Sequence, residues 1–182
     1  MTTTLFTQCP SCGGNASSVQ LVKKIPLFGE ALFTTITCAK CGFRLSDVFS
    51  VESHEPKKFS AKISSAQGLS TKIVRSSSST VRIPEFGLSL EPGPMSEGFI
   101  SNLEGLLGRF RGAVETVKNS SRSETQKNKA ELLLAKISEA ENGKLSFTVE
   151  LLDPFGNSAL LGKHVESEAI SEKEAKKLKT GF

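Results

Sequence analysis

Four cysteines fall as two Cys-x-x-Cys pairs, Cys9/Cys12 and Cys38/Cys41, and these are all the cysteines of the chain. Each pair is followed by glycine, in Cys9-Pro10-Ser11-Cys12-Gly13 and Cys38-Ala39-Lys40-Cys41-Gly42. Two residues between thiols let one tight turn present both sulfurs to a tetrahedral ion, and two such turns complete a four-thiolate zinc site. Glycine after the second thiol accepts a positive φ, which folds backbone N–H groups toward the sulfurs and offsets their charge. One structural Zn²⁺ held by Cys9, Cys12, Cys38 and Cys41 is therefore expected. Four protein ligands leave no position for a reactive water, which argues against catalysis at the metal.

Other uses of the thiols fit less well. A redox dithiol needs one pair beside a βαβ pattern, and this chain has two pairs and no such pattern. Disulfides suit secreted proteins, and Met1-Thr2-Thr3-Thr4-Leu5-Phe6 has neither a charged region nor a long apolar run to serve as a signal peptide. No apolar run approaches the roughly 18 residues of a membrane span. A soluble, cytoplasmic protein with no membrane partner is the expectation.

No other constellation in the chain carries chemistry. His54 and His164 are the only histidines, and neither has a nucleophile and an orienting group beside it in sequence. There is no phosphate-binding loop of the Walker type. Asp153, Pro154, Gly156, Asn157 and Ser158 read as a tight turn whose side chains bond the local backbone, not as a catalytic set. The expectation is that the protein is not an enzyme and takes no small-molecule substrate.

The elements that must position the cysteines follow from hydrophobic pattern. The segment between the knuckles is long enough for a β-hairpin. Val19, Leu21, Val22 and Ile25 form one arm, Ala31, Phe33, Thr35 and Ile36 the other, and Leu27-Phe28-Gly29-Glu30 the tip. Phe43 to Val51 reads as a strand leaving the second knuckle. A finger over residues 1–52 results. A β domain with an inserted helical pair spans 53–165. Within it the serine tract Ser76 to Ser79 reads as an exposed strand edge or a loop. Pro84 places the strand Val81–Leu90 at an edge or gives it a bulge.

The period changes to helical at Phe99, Leu103, Leu106, Phe110, Ala113 and Val117, with Ser96 as N-cap. Ala130, Leu133, Leu134, Ile137 and Ala140 mark a second helix, so an antiparallel helical hairpin is expected at about 96–141. Strand character returns from Leu145 to Leu152 and from Ala159 to Leu161. Residues 166–182 form a charged C-terminal tail, read as a short solvated helix or a disordered end. The fold class is α+β, mainly β.

Four separated blocks resemble one family. They are the two knuckles, the second running on to Phe43-Arg44; Ile25-Pro26-Leu27-Phe28; Ser79-Thr80-Val81-Arg82-Ile83-Pro84-Glu85-Phe86 with Asn102-Leu103-Glu104-Gly105-Leu106-Leu107; and Asp153-Pro154-Phe155-Gly156-Asn157-Ser158. The chain resembles the ZPR-type (ZPR-one) zinc-finger family, in its single-module, archaeal-like form. The eukaryotic members carry two modules in tandem. The resemblance implies a zinc ribbon followed by a double-stranded β-helix-like domain with the helical hairpin inserted. It also implies a partner, translation elongation factor one-alpha, bound by a folding chaperone or assembly factor.

Lys23, Lys24, Ile25, Pro26 and Phe28 are the candidate partner-binding residues, because the tip of a ribbon is normally exposed and an apolar patch there is a docking surface. The alternative is that Ile25 and Phe28 pack against the β domain. A nucleic-acid-binding ribbon is the competing function. The net charge is +4 with a sequence pI near 8.9, and Lys23, Lys24, Lys40 and Arg44 flank the metal in sequence. That charge is modest for an RNA binder, and four thiolates need compensation from nearby cations in any case.

Overall fold

The computed structural model describes residues 2–52 and 54–180. The first finger residue, residue 53 at the expected domain boundary, and the last two tail residues lie outside these.

The finger is one four-stranded antiparallel sheet in the order β1 (Thr2–Gln8), β2 (Asn15–Ile25), β3 (Gly29–Thr37), β4 (Arg44–Ser50). The expected hairpin between the knuckles is β2–β3, closed by a turn over Pro26–Phe28. β1 was not anticipated. It is an exposed edge strand whose threonine-rich sequence lacks the buried alternation that marks a strand. Because side chains alternate along a strand, the register Lys23↔Ala31, Leu21↔Phe33 and Phe33↔Val48 puts Ile25, Ala31, Phe33 and Val48 on one face. That face meets Val74 and Leu161 of the second domain in a shared apolar cluster, to which Phe28 also belongs.

The second domain is a two-sheet sandwich. One sheet has the order β12-β5-β10-β7-β8, from β5 (Lys57–Ile63), β7 (Thr80–Ile83), β8 (Leu88–Leu90), β10 (Phe147–Asp153) and β12 (Val165–Ala169). The other has the order β11-β6-β9, from β6 (Lys72–Arg75), β9 (Phe99–Asn102) and β11 (Ala159–Leu161). Strand β10 shows why the sheet forms: Phe147, Val149, Leu151 and Asp153 are buried, and the residues between them are half-buried. Phe147, Val149 and Leu151 join Ala61 and Ile63 from β5 and Ile73 and Leu160 from the facing sheet in one core. This is the mainly β layout expected, with the helical pair inserted between β9 and β10.

The helices run Leu103–Ser120 (α1) and Glu124–Glu141 (α2). The hairpin therefore starts at 103, not at about 96. Phe99 and Ile100 lie in β9, where they pair with β6, and the cap is Asn102, whose side chain accepts from the Gly105 amide at 2.9 Å. Ser96 instead accepts from Arg75. The buried face is Leu103, Leu106, Leu107, Phe110 and Val114, while Ala113 and Val117 face solvent. A stripe one step away around the helix fits the same sequence nearly as well, because Leu107 and Val114 supply as many apolar positions.

Three further expectations are corrected. Pro84 does not mark an edge, since β7 lies between β10 and β8; the strand ends at Ile83 and Pro84 opens a 3-10 turn, where its missing N–H costs no ladder bond. Ser76, Ser78 and Ser79 are buried, not exposed. In the charged tail Glu166–Ala169 are strand, part of β12 paired along β5, while the expected short helix is α3 (Glu172–Ala175), where Ser171 forms a capping box with Glu174.

Candidate metal centre and the finger junction

The knuckles are built alike. The Gly13 amide donates to the Cys9 carbonyl at 2.9 Å and the Gly42 amide to the Cys38 carbonyl at 3.0 Å. Both glycines have φ near the left-handed well, at 67° and 72°, so each turn doubles back under its own sulfurs. The Cys9 amide donates to the Gly14 carbonyl and the Cys38 amide to the Phe43 carbonyl, tying each knuckle to the strand that follows it. Cys9 and Cys38 are buried against Ala16, Ile36 and Phe43, and Cys12 and Cys41 lie toward the surface.

The four Sγ atoms all lie within 4.8 Å of one another. Cys9 and Cys41 are 3.6 Å apart and Cys12 and Cys38 3.8 Å. Sulfurs held about 2.3 Å from a tetrahedral zinc lie about 3.8 Å from each other, so this cage has the size the ion requires. The electrostatics also call for a cation. The Cys41 backbone N–H draws the Cys38 thiol down to about 7. The Gly14 amide favours the Cys12 thiolate, but the Cys41 thiol, desolvation and the other two sulfurs push Cys12 up to about 12. Four thiols this close cannot all ionise without a positive ion among them, and a bound metal takes all four as thiolates.

A second polar centre lies at the junction of the two domains. Asp47 on β4 accepts the Ser77 amide at 2.9 Å and the Ser77 hydroxyl, while its Oδ1 also accepts the Val48 amide at 2.8 Å. Next in the chain to this loop, Arg75 is 1% exposed. It donates to the carbonyls of Glu97 and Ser79 and to the Ser96 hydroxyl. Phe99 is flanked by the guanidinium groups of Arg75, 5.7 Å from its ring centre, and Arg109, 4.3 Å away. Burial lowers the Arg75 guanidinium to about 10, against the attraction of Asp47. The serines satisfy one another. The Ser76 amide and hydroxyl both meet the Ser158 hydroxyl at 3.0 Å, and the Ser79 hydroxyl donates to the Ser76 carbonyl.

The turn over 153–158 thus does more than bond its own backbone. Asp153 accepts the Phe155 amide at 3.0 Å, as a local turn should. Ser158, however, reaches Ser76, and Gly156 lies against the linker from the finger. A Cβ on Gly156 would sit 2.6 Å from the His54 Cβ and 2.8 Å from the Glu55 carbonyl oxygen. Pro154 is buried and Asn157 half-buried.

The candidate partner-binding residues separate. Ile25 and Phe28 are half-buried in the cluster that joins the finger to the sandwich. Lys23, Lys24 and Pro26 are exposed. As neighbours on β2, Lys23 and Lys24 point to opposite faces, and Lys24 pairs across the hairpin with Glu30. Leu27, which the candidate set omitted, is the outlying residue: it is 87% exposed with φ 68°, the only non-glycine at positive φ among the described residues. Arg75, Asp47 and the serines were missed because serine is ordinarily a surface residue. The available signal was an arginine followed by four hydroxyls between two strands, a set of donors and acceptors able to bond partly among themselves.

Residues 2–56 match the ZPR1 zinc-finger domain and residues 67–179 the ZPR1 jelly-roll domain. The chain belongs to the ZPR1 family. An uncharacterized ZPR1-like protein of Methanocaldococcus jannaschii is 46% identical over 176 residues, covering 96% of this chain and 89% of that protein. One of Pyrococcus horikoshii is 38% identical, covering 95% and 80%. The zinc finger chaperone zpr1 of Schizosaccharomyces pombe is 31% identical over 86% of this chain but only 35% of its own length. The ZPR1 finger and jelly roll correspond to the two units described above, and the finger's four cysteines are placed to hold a metal ion. No helix among the described residues is long and apolar enough to cross a membrane.

Proposed function

We propose that this ZPR1 protein is a cytoplasmic binding protein, not an enzyme, that assists the folding or assembly of translation elongation factor one-alpha. In this reading one zinc ion is structural. It fixes the finger sheet, and the finger and the helical hairpin present the surface that meets the client.

The observation that carries the reading is the position of large exposed apolar side chains on those two elements. Leu27 stands at the finger tip, and Val117 and Leu132 on the hairpin are 52% and 69% exposed. Single exposed apolar side chains are ordinary on a protein surface, so what this reading requires is that these three act together against one client. The finger–sandwich cluster and the Asp47–Ser77 contact hold the tip in a set relation to the second domain. The chaperone part of the reading is supported by the name of the Schizosaccharomyces pombe relative. The non-enzymatic part is supported by the Ser158 hydroxyl, which is held by Ser76 at the junction, and by Asp153 Oδ1, which accepts the Phe155 amide of its own turn.

Affinity purification of the tagged, zinc-loaded protein from its own cell, with and without ribonuclease, tests this. Enrichment of the elongation factor that survives ribonuclease is expected. Enrichment of tRNA or ribosomal RNA in its place would overturn the reading in favour of a nucleic-acid-binding ribbon.

A further inference from the structure

A cleft of about 390 Å³ opens between the finger tip and the sandwich. Its lining is mixed, with Phe28, Leu161 and Val165 apolar and His54 and Lys57 polar, and Leu27 stands at its lip. Three features of this cleft point to one kind of occupant.

The first is backbone. The cleft is bounded by β11 and β12, one edge strand of each sheet, and each pairs on one side only. An edge strand offers a row of N–H and C=O groups to another extended chain. The second is charge. Lys57 lines the cleft, no acidic residue does, and among the described residues no carboxylate pairs with the Lys57 ammonium. Its neighbour Lys58, in contrast, bridges to Glu150 and Glu168. The third is strain. Ile25-Pro26-Leu27-Phe28 is a tight turn closed by the Phe28 amide on the Ile25 carbonyl at 3.1 Å. Its third position has φ 68°, where glycine belongs, yet it holds leucine with nearly its whole side chain in water. A left-handed non-glycine residue is strained, persists only where the surrounding structure holds it, and clusters at ligand clamps and switch regions. Phe28 beside it packs inward, so the turn drives Phe28 down and Leu27 up.

We infer that this cleft binds an extended peptide segment of a partner, one that places a carboxylate beside an aliphatic or aromatic side chain. The segment adds to an edge strand, its acid pairs with Lys57, and Leu27 closes over its apolar side chain. The inference rests on the client-binding reading in that the client would supply the segment, but the site is defined without knowing the client.

The test uses the full zinc-loaded chain, the acetylated hexapeptide Ser-Asp-Phe-Leu-Asp-Ser, and a twin with asparagine for both aspartates. Saturable amide shifts are expected at Leu27, Lys57, Leu161 and Val165, with binding weakened about tenfold for the twin, as for loss of one charged hydrogen bond. Lys57→Gln should weaken the acidic peptide to the level of the twin. Leu27→Gly should weaken both peptides about tenfold or more, while its melting temperature holds or rises, because glycine suits the turn. Shifts mapping elsewhere, absence of saturation, or equal binding by the wild type and Leu27→Gly would overturn the inference. Purified elongation factor one-alpha is then offered to the same proteins. If the wild type and both variants capture it equally, the cleft inference falls and the client reading stands. If the wild type binds the acidic peptide but not the factor, the client reading falls and the cleft stands.

Discussion

Asp47 of the finger accepts the backbone amide of Ser77 in the jelly roll at 2.9 Å, and its second oxygen accepts the hydroxyl of the same serine. One carboxylate thus closes the junction between the two domains from the finger side. Asp47→Ala leaves the half-buried Ser77 amide without a partner, at a cost of about 1–3 kcal/mol. Asp47→Asn keeps one acceptor and should cost less. Urea unfolding of the two variants should rank them in that order, and equal stability would remove Asp47 from the junction.

Gly156 marks the other side of the junction. It has φ 69°, and a Cβ there would meet the His54 Cβ at 2.6 Å and backbone oxygens at 2.8 Å. Gly156→Ala combines a left-handed strain with displacement of the linker, a loss of roughly 1–3 kcal/mol or more. A lowered denaturation midpoint is expected, with proteolysis of the intact fold opening near residue 54 before it opens elsewhere.

The buried face of α1 separates two variants of similar chemistry. Leu107 is fully buried and Val117 is 52% exposed. Leu107→Ala should cost about 2–5 kcal/mol, and Val117→Ala should stay within about 0.5 kcal/mol. Thermal unfolding of the pair checks the assignment, and the reverse order would restore the stripe through Ala113 and Val117.

That helix shows where the sequence was legible and where it was not. The cysteine cage, the hairpin between the knuckles and the strand Phe147–Asp153 each follow from a local rule: ligand spacing, period-2 alternation, or a glycine at positive φ. The helix start did not, because Phe99 and Ile100 carry helical spacing and β character at once, and only pairing with β6 decides for the strand. The Arg75–serine cluster did not either. Its burial depends on a bond across a long chain separation, Ser76 to Ser158, and no local pattern reports a partner that far away. Leu27 was legible only as part of a loop, since nothing in its residue type announces a positive φ.

Asp153 supplies a pH signature. Burial raises its carboxyl above the ordinary aspartate value, with the Phe155 amide pulling the other way. Its second oxygen is buried without a partner. With the folded value above the unfolded one, the folded state binds the extra proton. The contribution of this group to stability is therefore full below the unfolded value of 3.8 and is lost as pH rises through the folded value. Asp153→Asn removes that dependence. Its stability relative to the wild type should be most favourable at pH 7 and should decline as pH falls toward 4, within the range in which both remain folded. A difference that stays flat with pH would show that the group does not titrate abnormally.

The most direct measurement is size-exclusion chromatography of the full chain with purified elongation factor one-alpha, with zinc quantified in each fraction. The zinc-loaded protein should carry one zinc per chain and co-elute with the factor. Chelation, or Cys38→Ser at the cage, should release the metal, unfold the finger and abolish co-elution, leaving the separate jelly-roll core folded by circular dichroism. Co-elution undiminished in the zinc-free protein, or none with the zinc-loaded one, would contradict the account.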